Sequence, residues 1–251
     1  MLFCNIDLLD EKFETKRNQY VGVKDGRIAY IGASAPEEDF GERYDGRHRL
    51  LMPAFYNVHS HAPMTLLRGY AENLPLQRWL GEKVFPFEDQ IDDEAAYYGT
   101  LLAISEMLAS GTASFSDMYF FFGGMVPAIL ESGIKCNLSR GLTVFDDSDY
   151  TDLPAYRDNV RLRGEWNGAN NGRLIGDLCI HGEYTSNPKI VEAVAQHARE
   201  TGARIQIHLS ETQTEHEECK GRHGLTPAAY MEKHGIFDSP TTAAHCVWLE
   251  D

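Results

Sequence analysis

Short runs of apolar or alternating residues open the chain. "LFCNIDLL" is followed by "QYVGVKDGRIAYIGA", in which two alternating stretches meet at Asp25-Gly26. A two-residue type I′ turn needs positive φ at both central positions, and Asp-Gly tolerates this, so residues 1 to about 50 predict strands joined by a tight hairpin. From Leu50 the pattern changes. The apolar runs "RLLMPAFYNV", "TASFSDM", "IKCNLSRG", "GRLIGDLCIHG", "ARIQIHLS" and "TTAAHCVWL" alternate with helical patterns such as "EAAYYGTLLAISEMLASG", "GGMVPAILESG" and "NPKIVEAVAQHARETG". Strand followed by helix, repeated, predicts βα units on a parallel sheet, with residues 51–251 as one α/β domain. Gly111, Gly133, Gly202 and Gly235 fall where helices of this kind end in left-handed caps. The segment 146–172, "DDSDYTDLPAYRDNVRLRGEWNGANNG", is polar and turn-rich, and predicts a long connection over the surface.

Six predicted strands suit either an eight-fold (β/α) barrel or a doubly wound sheet. No glycine-rich dinucleotide fingerprint follows the first strand, which weakens the second option. The histidines favour the barrel. His59 and His61 end the first of these strands, His181 the fourth, His208 the fifth and His245 the sixth, and the C-terminal rim is where barrels assemble their sites. Strand alternation points His59 and His61 to one face, where they could bind a single ion together. Among ten histidines an HxH pair is weak on its own, since two imidazoles can simply cap a polar strand end. Three further strand ends carrying histidine are not explained in that way. Glu211, three residues past His208 in "HLSET", lies just beyond its strand. A carboxylate there could take a proton from water and pass one to a leaving group.

Composition narrows the partners. The chain of 251 residues is 43% hydrophobic and 24% charged, an ordinary globular balance, and 38 acidic against 23 basic residues give a net charge of -15. An extended phosphate backbone or an anionic membrane would be repelled. A pocket sees local rather than net charge, so a small nucleobase or nucleoside stays compatible. Five cysteines, odd in number and without a CxxC pair, suit reduced thiols in the cytoplasm. The N-terminal "MLFCNIDLLDEKFE" has neither the basic nor the apolar region of a signal peptide, and "YFFFGGMVPAIL" is too short and glycine-broken to span a bilayer. A soluble, cytoplasmic protein is expected.

Taken as a set, "MPAFYNVHSHAPMTLLRGYAENLPLQRWL", "FPFE", "LSRG", "IHGEYT", "HLSETQTE" and "AAHCVWL" resemble the amidohydrolase superfamily. The likeness is narrowest to the deaminases of S-adenosylhomocysteine and methylthioadenosine, with cytosine deaminases and triazine chlorohydrolases as relatives. The resemblance implies a (β/α)8 metal-dependent hydrolase barrel, of which about six βα units are present, and assigns residues 1–50 to a small N-terminal β-sandwich part. It implies one divalent metal, zinc or iron in its place, held by His59, His61 and His208. Glu211 would be the catalytic proton shuttle and touch substrate, and His245 would orient the attacking group. Trp79, Glu88, Arg140 and His181 would contact the substrate. The family's second substrate arginine has no clean counterpart, Arg157 being the nearest candidate. The bridging lysine that binuclear relatives carry after their fourth strand is absent from "RLIGDLCIH", which implies a single ion. The family completes its site with an aspartate after strand eight, so residues 51–251 are expected to form an incomplete barrel that lacks the last strands and the rest of the sandwich, and residues 1–251 alone are expected to be inactive. The implied reaction is hydrolytic deamination of an amino-purine nucleoside, a small-molecule substrate, with release of ammonia; a homodimer is the expected assembly. Nucleobase deamination, triazine-type dechlorination or a non-catalytic homologue are the alternatives.

Overall fold

The computed structural model describes residues 1–250. The chain folds as two compact units, Met1–Ala54 and Phe55–Asp251, against a sequence boundary at residue 50. The first unit is a single five-stranded sheet of β1 (Leu2–Leu9), β2 (Thr15–Lys24), β3 (Arg27–Gly32), β4 (Arg43–Asp45) and β5 (Leu50–Leu51). Its order is β3-β2-β1-β4, and β5 also pairs with β1. The hairpin between β2 and β3 turns on Asp25 (φ 52°) and Gly26 (φ 71°), the two positive values a type I′ turn requires. Ile6, Leu8 and Val21 form its small buried core.

The second unit carries β6 (Phe55–Ser60), β7 (Thr112–Tyr119), β8 (Lys135–Arg140), β9 (Leu174–Gly176), β10 (Leu178–Ile180), β11 (Ile205–Leu209) and β12 (Thr241–His245). Every pairing among them is parallel. The six helices of seven or more residues are α1 (Asp93–Ala109), α2 (Phe122–Ser132), α3 (Pro154–Arg161), α4 (Pro188–Thr201), α5 (Gln213–His223) and α6 (Pro227–Lys233). Six strand positions, the first five each followed by helix, make this an α/β fold of the (β/α) barrel type. Local chemistry places the helices. Asp92, Asn187, Thr212 and Thr226 each accept a backbone N–H at a helix start, and Gly133 and Gly202 close α2 and α4 in the left-handed region. On α4 the stripe Ile190, Val191, Val194, Ala195 and Ala198 is buried against β10 and β11, whose residues are buried throughout, as strands covered on both faces are.

Two features differ from the pattern read along the chain. The fourth predicted strand breaks at Asp177. Asp177 N–H still donates to Leu138 of β8 (2.9 Å), while Leu178 N–H donates to Arg204 at the start of β11 (2.8 Å). The ladder therefore changes neighbours across one residue. Asp177 pins the break, accepting from Arg204 Nε and Gln206 Nε2 at 3.1 Å each. Residues 146–172 are not a surface connection. They contain α3, and Tyr150, Leu153, Ala155 and Leu162 are buried, so this is the helix of the third βα unit. Its apolar residues are few but fall on one side, and the charges that made the segment read as a loop occupy the other.

Candidate active site

At the C-terminal rim of the second unit the strand ends converge on five imidazoles. The His208 ring lies 4.9 Å from that of His59, 5.3 Å from His61, 5.3 Å from His245 and 4.7 Å from His181, centroid to centroid. His59, His208 and His245 each present a nitrogen within 4.8 Å of the others. His61 joins them through Nε2, 3.4 Å from His208 Nε2. Two of these rings have a fixed tautomer. His61 Nδ1–H donates to the Met118 carbonyl (2.6 Å) and His208 Nδ1–H to the His181 carbonyl (2.7 Å). A carbonyl only accepts, so Nδ1 carries the proton and each Nε2 presents a bare lone pair.

Electrostatics keep the rings neutral. Burial, and then repulsion from neighbouring histidines, lowers His59 to about 4 and His208 to about 2. Burial lowers His181 to about 4 and also depresses His61. Two lone pairs facing each other at 3.4 Å cannot satisfy one another. A divalent cation would satisfy both, and the carbonyl partners on the far nitrogens are those that orient histidine ligands. The donor set fits a metal ion.

Glu211 follows β11 and stands beside this cluster, with Oε1 3.7 Å from His245 Nε2. The turn that carries it is held by Glu215, whose carboxylate accepts the N–H groups of Ser210 (3.1 Å) and Glu211 (2.8 Å). Ser210 (φ 51°), His245 (φ 73°) and Cys246 (φ 53°) occupy the left-handed region. Such strained non-glycine residues at strand ends mark sites where geometry is over-determined by the surroundings.

Above the histidines opens a cavity of about 360 Å³. Met64, Leu76, Trp79, Leu80, Val84 and Phe85 supply an apolar wall, and Trp79 is held by its Nε1–H donating to Ala71 O (3.1 Å). Glu88 lines the same cavity and accepts from the Tyr119 hydroxyl at 2.5 Å. Burial pushes its carboxyl above the usual range, opposed by that hydrogen bond. His181 also lines it, with Nδ1 3.2 Å from Thr185 Oγ1. Of the residues singled out in the sequence, His59, His61, His208, His245, Glu211, Trp79, Glu88 and His181 therefore share one cavity. Arg140 is not among its lining residues. Its guanidinium donates to Asp158 (3.1 Å) and Gly141 O (3.0 Å) and lies over the Phe120 ring at 4.5 Å. Arg157 is exposed and donates to Asp152 O. Tyr119, Tyr184 and Glu215 were not legible as site residues. Asp117, also missed, did leave a signal, being the one acid inside the apolar run "SFSDMYFFF".

A model of the amidohydrolase family matches residues 50–251. The chain belongs to the amidohydrolase family. It is 40% identical over 235 residues to a 5-methylthioadenosine/S-adenosylhomocysteine deaminase of Syntrophomonas wolfei, covering 92% of this chain and 54% of that protein. It is 36% identical to a 5′-deoxyadenosine deaminase of Methanothermobacter thermautotrophicus, covering 94% and 55%. This amidohydrolase thus spans about half the length of the curated relatives it matches. Among solved structures, a zinc-bound adenosine deaminase from Xanthomonas campestris superposes with a TM-score of 0.82 at 25% identity, over 99% of this chain and 58% of that one. A guanine deaminase from C. acetobutylicum superposes with a TM-score of 0.88 at 19% identity, over 100% and 63%, a likeness of fold alone.

Proposed function

We propose that this amidohydrolase hydrolytically deaminates an adenine nucleoside of the methylthioadenosine or S-adenosylhomocysteine type, releasing ammonia. The observation that carries the proposal is the pair of fixed Nε2 lone pairs on His61 and His208, facing each other beside Glu211 at the floor of a largely apolar cavity. The relatives' names support the substrate class, and zinc in the adenosine deaminase structure supports the choice of ion.

In this reading His59, His61 and His208 hold the metal and His245 orients the attacking water. A divalent ion in that position supplies a Lewis acid that makes water acidic near neutral pH. Glu211 takes the proton from that water and delivers it to the ring nitrogen next to the carbon bearing the amino group. The water oxygen adds to that carbon, and ammonia departs with the second proton. Trp79 and its apolar neighbours cover the base and exclude bulk water, while Glu88 accepts from a sugar hydroxyl and His181 faces the purine. Arg140 reaches the substrate only on leaving Asp158.

No helix among the described residues is long and apolar enough to cross a membrane, and the five cysteines form no disulfide among those residues. Free thiols suit a reducing compartment, and we assign the protein to the cytoplasm. The test, made on the full-length protein in which the barrel is complete, is a panel of zinc-loaded reactions on methylthioadenosine, S-adenosylhomocysteine, adenosine, guanine and a chlorotriazine, read by ammonia and chloride. Ammonia from the adenine nucleosides is expected. Ammonia from guanine alone, chloride from the triazine, or no turnover of any nucleoside would overturn the assignment.

A further inference from the structure

We infer that Asp117 is a positioning residue for the histidine pair, holding the Ser60–Ala62 turn so that His61, and His59 with it, face the other ring nitrogens. The inference rests on the reading that these histidines hold a metal.

The β6–β7 ladder is irregular at the point where the pair occurs. Asn57 pairs with Phe115 and Ser60 with Asp117, with a register shift between them. Three residues of β6 thus oppose two of β7, as at a bulge, and such features re-aim side chains while interrupting the backbone pairing. Regular ladder bonds therefore do not set the pitch of His59 and His61 against β7, and side chains must do so. Asp117 is fully buried. Its Oδ2 accepts the Ala62 N–H at 2.7 Å and lies 2.8 Å from Ser60 Oγ, which also reaches Ser116 O at 2.9 Å. Ser60 and Ala62 flank His61, and the residue after Asp117 supplies the carbonyl that takes His61 Nδ1–H. Two consecutive residues of β7 thus grip His61 and both of its neighbours.

Stability alone does not account for the carboxylate. Asp117 Oδ1 is buried without a hydrogen-bond partner, and an incompletely partnered acid in a core costs free energy that an apolar residue would not. Asp177 shows the contrast. It is also buried, but both of its oxygens are taken by Arg204 and Gln206, and it pins a strand break remote from the histidines in the chain.

The test measures zinc affinity by chelator competition, the visible spectrum of the cobalt(II) form, and unfolding, on the protein and four variants. Asp117→Ala should weaken zinc binding by about 10- to 100-fold and alter the cobalt bands, which report ligand geometry. Asp117→Asn places an amide oxygen where Oδ2 stands and should restore both readouts. Asp177→Ala should lower stability and leave zinc affinity and spectrum as in the wild type. If Asp117→Ala does not fold, Ser60→Ala is read in its place, and a several-fold loss of affinity is expected. Folded Asp117→Ala with wild-type affinity and spectrum, Asp117→Asn as weak as Asp117→Ala, or an unchanged Ser60→Ala would each overturn the inference. Wild-type protein that binds no zinc would instead overturn the metal reading on which the inference stands.

Discussion

At the scale of single residues, the site depends on which nitrogen of each ring is free. Carbonyls of Met118 and His181 hold the Nδ1 protons of His61 and His208, so the Nε2 atoms are committed to face inward. Glu211 differs in kind. It stands 3.7 Å from His245 with its side chain a quarter exposed, free to move a proton and outside the set of converging nitrogens. The two roles separate under mutation. His59→Ala with His61→Ala should lose the bound metal, as elemental analysis will show. Glu211→Gln should keep the metal and lose turnover by about 10²-fold or more. Metal retained in the double variant would remove the ion site, and full activity in the glutamine variant would return Glu211 to the ordinary role of a loop acid. The histidines could be read from the sequence because each falls where an apolar run ends, which places it at the rim of the strands. Arg140 could not, since its position at a strand end says nothing of the Asp158 and Phe120 that claim it.

At the scale of elements, caps and periodicity explain where most helices begin and end, and packing explains the glycines between them. In "FGGMVPAIL" on α2, a Cβ at Gly124 would lie 2.8 Å from the Tyr97 backbone nitrogen of α1 and closer still to the Asp93 carbonyl. The two helices meet backbone to backbone there. Gly124→Ala should therefore destabilise the protein by about 1–3 kcal/mol, the usual penalty for overpacking, measured as a lower midpoint in denaturant with an unchanged slope. A midpoint equal to the wild type would mean that the helices can part without loss. The same scale shows why α3 was missed. Pattern reading relies on the density of apolar residues, and in 146–172 a few are enough, since Tyr150, Leu153 and Ala155 join the apolar core of β10, β11 and α4 and Leu162 joins that of β8 and β9. The break at Asp177 was equally hidden, because a run such as "RLIGDLCIH" does not say which neighbour each half will pair with.

At the scale of the whole molecule, convergence of neutral imidazoles makes stability depend on pH in the absence of metal. His59 and His181 titrate near 4 and His208 near 2 in the folded protein, whereas an unfolded histidine titrates near 6.5. Between about pH 6.5 and 4 the unfolded chain binds more protons at these three sites, so stability should fall as pH falls through that window and level off below it at His59 and His181. Asp117, which burial pushes up to about 7, and Glu88, Asp177 and Glu215, which burial also raises, act with the opposite sign, while His61 and His197, lowered by burial, act with the three histidines. Metal-free protein unfolded in urea at pH 7 and pH 5 should be less stable at pH 5, and zinc should raise both midpoints by nearly the same amount, because the folded rings it binds are neutral at both pH values. Equal midpoints at the two pH values would show that the imidazoles are not desolvated together. What the sequence determined by itself follows from local and periodic physics: a hairpin at Asp25-Gly26, a parallel α/β domain, and histidines aimed from strand ends toward one rim. Those outcomes depend on residues close in the chain, on turn chemistry and on strand alternation. Only tertiary structure decided the hydrogen bond between Tyr119 and Glu88, the tautomers of His61 and His208, the grip of Asp117 on the Ser60–Ala62 turn and the withdrawal of Arg140. Each of these joins residues brought together by the packing of separate elements, and a one-dimensional pattern carries no information about which side chains meet across a core.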